Sequence, residues 1–144
     1  MPVKDFEQTI RFYEHQLPNG RLIYLPLVSV VLITPLNSRI SLSFMFDTGA
    51  TVTSLRNDLY PLLGLHSWDQ GEPITTDTAN DRIIVYRYNA SLEIFGKLIA
   101  CPIHLIPLPQ NPLYCGLLGR ETIFNEFGFG FWESTHELYV TENP

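Results

Sequence analysis

Apolar and polar residues alternate through most of this chain, the period-two signature of β-strands with one buried face. In Ile40-Ser41-Leu42-Ser43-Phe44-Met45-Phe46 the residues Ile40, Leu42, Phe44 and Phe46 fall on one face of a predicted strand. A longer alternation puts Ile84, Tyr86, Tyr88, Ala90, Leu92 and Ile94 on one side of a second. After a turn expected at Gly96-Lys97 the pattern resumes through Ile99, Cys101, Ile103 and Leu105. Near the start, stretches 6–16 and 21–33 flank Leu17-Pro18-Asn19-Gly20, where Asn-Gly is a strong hairpin signal. Near the end, 127–132 and 137–141 flank a turn around Ser134-Thr135.

Helical pattern is scarce. Residues 57–63 predict a short helix ended by Gly64, with Pro61 tolerated only in its first turn. Residues 120–126 predict another, with Gly128 beyond it. The segment 105–116 holds Pro107, Pro109 and Pro112 and reads as a surface loop. With no repeat, low-complexity tract or internal linker, residues 1–144 read as one all-β domain, a barrel or folded sheet. Within it, 1–20 form an N-terminal extension carrying a hairpin strand, and about 21–141 form the core.

Composition narrows the function classes. Hydrophobic residues make up 45% of the chain and charged ones 17%, enough apolar material for a core and no case for disorder. Nine basic against fifteen acidic residues give a net charge of −6, and no Lys/Arg cluster offsets it, so nucleic acid is excluded as a partner. The polar N-terminus lacks the apolar core of a signal peptide, and the greasiest stretch, 23–36, is short and carries Pro26 and Pro35. A cytoplasmic protein without membrane contact is expected. Cys101 and Cys115 then read as reduced thiols in the core. His15, His66, His104 and His136 are too scattered for a zinc site, and no cofactor or metal is expected.

The chemistry-bearing motif sits where the strand 40–46 runs into Asp47-Thr48-Gly49-Ala50. Some seventy residues later a second apolar strand ends in Leu117-Leu118-Gly119-Arg120. Between them lies a candidate hairpin around 78–82. This order resembles the retropepsins, the single-domain aspartic proteases of retroviruses and their cellular and bacterial relatives. The resemblance implies a closed barrel or folded sheet with a flap hairpin and one or two short helices. It also implies an endopeptidase activity that a homodimer assembles, because one Asp-Thr-Gly motif supplies one of the two carboxyl groups required.

Peptide hydrolysis by water needs one carboxylate to accept a proton and one carboxylic acid to donate one to the carbonyl oxygen. Two aspartates about 3 Å apart share a proton and supply both roles. By resemblance, Asp47 is catalytic and Thr48 bonds across to the partner chain. Gly49 and Ala50 let the backbone approach the other loop and a peptide substrate. The flap tip is Thr78, Ala79, Asn80 and Asp81. Leu113, Tyr114, Cys115 and Leu117 match the pocket-lining stretch, while Gly119 and Arg120 have structural roles, Arg120 tying the helix to the barrel. Two departures stand out. The retroviral Asp after Ala is Thr51 here, which leaves Arg120 without its usual partner, and the flap tip has no glycine. The alternative is a catalytically silent retropepsin-fold dimer serving as a binding or scaffold module. Cys115 has no evident partner base that would make it a nucleophile, and Trp68 and Trp132 read as packing residues.

Overall fold

The computed structural model describes residues 6–77 and 79–143. Twelve strands appear among them: β1 Gln8–Arg11, β2 Tyr13–Gln16, β3 Leu22–Leu25, β4 Leu27–Ile33, β5 Arg39–Phe46, β6 Thr53–Arg56, β7 Glu72–Asp77, β8 Arg82–Ile94, β9 Lys97–Ile106, β10 Gly116–Leu118, β11 Phe127–Trp132 and β12 Glu137–Glu142. The one α-helix, α1, is Ile123–Glu126. No described helix is long and apolar enough to cross a membrane.

Six strands close into a barrel in the order β4-β5-β10-β6-β9-β8, with β8 returning to β4 through the pairs Val31↔Glu93, Leu32↔Leu92 and Ile33↔Ser91. Closure leaves the ring without free edges. Of the inward positions the alternation predicts, Phe44, Phe46, Ala90, Leu92, Ile94, Ile99, Cys101, Ile103 and Leu105 are buried, whereas Ile40, Leu42, Tyr86 and Tyr88 are only partly so; Val28, Val30 and Leu32 of β4 join them inside. Each such Val, Leu, Ile or Phe contributes about 1.5–3 kcal/mol by leaving water. A second sheet, β1-β12-β11, underlies the barrel and buries Phe127, Leu138 and Val140 against it.

Several local expectations shift. The 6–16 stretch breaks at Phe12 into β1 and β2, which join different sheets, and 21–33 breaks at Pro26 into β3 and β4. Thus the N-terminal extension is woven into the fold, with β1 paired to β12. The β8–β9 turn is Phe95-Gly96, with φ of 52° and 79°, one residue earlier than expected. Positive φ at both central residues suits a tight hairpin; Phe95 tolerates it while its ring packs on Phe127 and Phe129, centroids 5.1 and 5.7 Å away. Along β8 the buried face changes at the flap end: Val85 is buried and Ile84 is 56% exposed. There the strand has left the barrel and pairs with β7 alone.

The 57–63 segment is a 3-10 helix with Pro61 inside, closed by the Gly64 N–H to the Pro61 carbonyl at 3.0 Å. The 120–126 helix is only α1, because Thr122, at φ 69°, breaks the helical backbone before Ile123. The proline-rich loop is shorter than 105–116: Leu105 is a buried residue of β9 and Gly116 opens β10. Strands β6 and β7, which the alternation did not reveal, complete the barrel and the flap hairpin.

Candidate active site

Asp47 follows the last residue of β5, where the chain turns into loop 47–52 and returns as β6. Strand β10 lies between those two strands, parallel to β5 (Leu117↔Met45, Leu118↔Phe46) and antiparallel to β6 (Gly116↔Leu55). The loop therefore arches over the end of β10. It is fastened there by backbone bonds: Asp47 N–H to the Leu118 carbonyl (3.0 Å), Arg120 N–H to Ala50 (2.9 Å) and Glu121 N–H to Thr51 (2.8 Å). Beneath the arch, Gly119 N–H donates to Oγ1 of the fully buried Thr53 at 3.2 Å. A Cβ on Gly119 would stand 2.1 Å from the Val52 carbonyl oxygen, so glycine is required by close approach.

Within the loop, the Asp47 carboxylate accepts the Gly49 N–H at Oδ1, 2.9 Å, and the Asp47 carbonyl accepts the Ala50 N–H at 3.2 Å. A Cβ at Gly49 would approach Oδ1 to 3.3 Å. The first bond fixes the carboxylate and leaves its second oxygen free of intrachain partners among the described residues. Asp47 and Ala50 are half-buried, whereas Thr48 and Gly49 are exposed. One chain thus presents a single oriented carboxylate with an uncovered Thr48 beside it.

Arg120 is exposed and its guanidinium makes no ion pair among the described residues; its links to the loop and to α1 run through its N–H and through its carbonyl, which accepts the Phe124 N–H at 3.1 Å. The ion pair behind the loop is instead Arg87–Glu121, 3.0 Å, joining the flap strand β8 to the residue whose amide holds Thr51. Neither residue stood out in the sequence, although an acid directly after Gly119-Arg120 was the available signal. Arg87 is in register with Glu72 on β7 and with His104 on β9. His104 is buried with Nε2 unpartnered among the described residues. Burial, and secondarily the charge of Arg87, lowers its pKa below the ordinary 6.5.

The flap tip connects Asp77 to Arg82; Ala79, Asn80 and Asp81 are exposed, and Thr78 lies outside the described residues. The four pocket candidates part company. Tyr114, Cys115 and Leu117 line one cavity of about 270 Å³ with Leu108, Pro109 and Asn111. Leu113 lines a different one, with Phe12 and Leu27, because its N–H bonds Asn111 Oδ1 at 2.8 Å and the loop turns it away. Both cysteines are free thiols. Cys101 is buried in the core; Cys115 is only partly buried, and burial raises the pKa of both.

No curated protein sequence matches this chain. Among solved structures it is similar to a retropepsin-like aspartic protease from Rickettsia conorii, with TM-score 0.58 and 19% identity over 96% of this chain and 97% of that one. That likeness establishes a retropepsin-like fold. The EIAV protease complexed with the inhibitor HBY-793 superimposes with TM-score 0.49 and 16% identity over 69% of this chain and 86% of that one. The sequence model of the aspartyl protease family matches residues 34–122, well over half of the chain and the whole stretch from the β4–β5 turn past Gly119, so the chain belongs to the aspartyl protease family.

Proposed function

We propose that the protein is an aspartic endopeptidase working as a homodimer, each chain lending one Asp47 to a shared pair. The observation that carries this reading is the single, oriented carboxylate of Asp47, held by the Gly49 N–H beside an exposed Thr48. A lone carboxylate cannot be both base and acid in one step, and a twofold copy supplies the missing group.

In the assembled site a water lies between the two Asp47 carboxyl groups. The ionised one takes a proton from the water as its oxygen attacks the peptide carbonyl carbon; the protonated one gives its proton to the carbonyl oxygen. The resulting gem-diol collapses: one hydroxyl returns its proton to the carboxylate that had donated, the carboxyl group that had taken the water's proton passes it to the leaving nitrogen, and the C–N bond breaks. Thr48 bonds across the axis, and Gly49 and Ala50 lie along the peptide. The flap tip, with Ala79, Asn80 and Asp81, closes over it, and the cavity of Tyr114, Cys115 and Leu117 takes an apolar side chain flanking the cut.

Parallel peptide-library digests with wild type and Asp47→Asn test this. The variant keeps the shape of the loop, and cleavage is expected to fall by several orders of magnitude with the fold intact. Wild-type cleavage is expected to be unaffected by a chelator. Undiminished cleavage by Asp47→Asn overturns the proposal. A folded dimer that cuts no library peptide favours the silent binding or scaffold module.

A further inference from the structure

Beside the β2–β3 hairpin lies a cavity of about 630 Å³, a volume typical of ligand pockets. We infer that it is a further substrate subsite, seating a large peptide side chain two to four positions beyond the one held by Tyr114, Cys115 and Leu117. The inference rests on the endopeptidase reading above and extends its groove. The hairpin, residues 13–25, lies outside the stretch 34–122 that matches the family's sequence model. Three parts of the chain line the cavity: Tyr13 and Glu14 of β2, Leu27, Ser29 and Ser43 on the outer face of the barrel, and Leu113 of the proline-rich loop. Three links join it to the pocket of Tyr114, Cys115 and Leu117. Leu113 and Tyr114 are chain neighbours, one lining each cavity. The Cys115 N–H donates to the Ser43 carbonyl at 2.9 Å, so one backbone bond ties a residue of each. Beneath both runs a row of register partners, Leu27↔Met45 and Met45↔Leu117, which starts in one cavity and ends in the other. Its ends are two strand spacings, about 9–10 Å, apart. An extended peptide advances about 3.3 Å per residue and repeats a face every second residue, so side chains two to four positions apart reach both.

The hairpin is fixed close to Asp47. Pro26, which follows it, accepts the Phe46 N–H through its carbonyl at 2.9 Å, one residue before Asp47. At its base the Tyr24 ring stacks on His136 with centroids 3.6 Å apart, and the Phe12 N–H bonds the His136 carbonyl at 2.9 Å. Among the described residues β2 and β3 pair only with each other, so β2, the strand that lines the cavity, keeps a free edge. Every second residue of that edge turns its N–H and C=O away from β3, where an extended peptide pairs with them. Tyr13, 46% exposed, and Leu27 and Leu113 offer apolar surface to the seated side chain. Glu14 and the two serine hydroxyls offer hydrogen-bond partners to its tip. The occupant is therefore a side chain apolar along its body and polar at its end, as tyrosine is.

Two peptide libraries, one with tyrosine and one with alanine at a fixed position, test the subsite in competition, with the cut bonds read by mass spectrometry. Wild type is expected to cut the tyrosine library at least about tenfold faster at bonds that place the fixed residue two to four positions beyond the one flanking the cut. That is the scale of burying one large side chain. Ser29 is exposed, so Ser29→Trp fills the cavity from the outer face of β4 without entering the core, and the tyrosine-to-alanine ratio is expected to fall to about one. Because the ratio is read within one protein, a variant of altered overall rate still reports it. A ratio near one in wild type at every position, or a ratio that Ser29→Trp leaves intact, overturns the subsite while the endopeptidase reading stands. A Ser29→Trp dimer that dissociates more readily in sedimentation assigns the cavity to the contact between copies and also overturns it. A wild type that cuts no peptide overturns the endopeptidase reading, and anisotropy of the same libraries, fluorescently labelled, then decides the cavity. Tighter binding of the tyrosine library, lost in Ser29→Trp, keeps it as a peptide site; equal binding of the two libraries overturns it as well.

Discussion

Gly119→Ala measures how tightly the loop that carries Asp47 is clamped. The added methyl would sit 2.1 Å from the Val52 carbonyl oxygen and 2.3 Å from its carbonyl carbon, both backbone atoms that cannot rotate away. Ordinary carbon contacts begin near 3.5 Å, so the arch over β10 must lift by more than about 1 Å. Three bonds resist that movement: Gly119 N–H to Thr53 Oγ1, Arg120 N–H to Ala50 and Glu121 N–H to Thr51. Overpacking of this kind costs about 1–3 kcal/mol, and weakening one buried bond adds about 1 kcal/mol. The expected loss is therefore about 2–4 kcal/mol, a large share of the 5–15 kcal/mol typical of a domain. Urea unfolding followed by the fluorescence of Trp68 and Trp132 reads it as a lower midpoint with unchanged slope. Gly96→Ala is the reference, because its Cβ would meet nothing within 4 Å and only the φ of 79° is strained. A Gly119→Ala protein less destabilised than Gly96→Ala, with full peptide cleavage, would refute the clamp.

His104 is expected to make the protein acid-sensitive. Its folded pKa lies below 6.5, so the unfolded chain binds the extra proton, and the stability present above 6.5 is lost as pH falls toward the folded value. Urea midpoints from neutral pH downward should fall less steeply in His104→Gln than in wild type; equal slopes contradict this. Cys101, with its pKa pushed up to about 11 by burial, is expected to resist thiol reagents until the chain unfolds, since at pH 8 only about 0.1% of such a thiol is ionised. Labelling of native Cys101 as fast as a free thiol would count against it. For Arg87 and Glu121, whose side chains are 30% and 38% exposed, a double-mutant cycle should give a coupling below about 1 kcal/mol. A coupling of several kcal/mol would mean that the pair is shielded from water.

What the sequence determined was local. The alternation in 40–46 placed Phe44 and Phe46 inside, and it ran straight into Asp-Thr-Gly. The period of 99–105 placed Ile99, Cys101, Ile103 and Leu105 inside without error. These features follow from side chains two residues apart sharing a face, which a linear pattern records. Tertiary structure decided whatever depends on strands distant in the chain meeting. Strand β6 is only four residues long, and β7 carries Pro73 and two threonines, so neither advertises itself; each is a strand because β9, β10 or β8 pairs with it. The buried face of β8 changes at Val85 because the strand leaves the barrel there. The helix after Gly119 is short because Thr122, at φ 69°, breaks it on one side and the chain enters β11 at Phe127, paired with β12, on the other. The threading of β10 between β5 and β6 makes Gly119 indispensable and sets Glu121 within reach of Arg87. No local period encodes a strand passing between two others, because the contacts exist only after the chain has closed on itself.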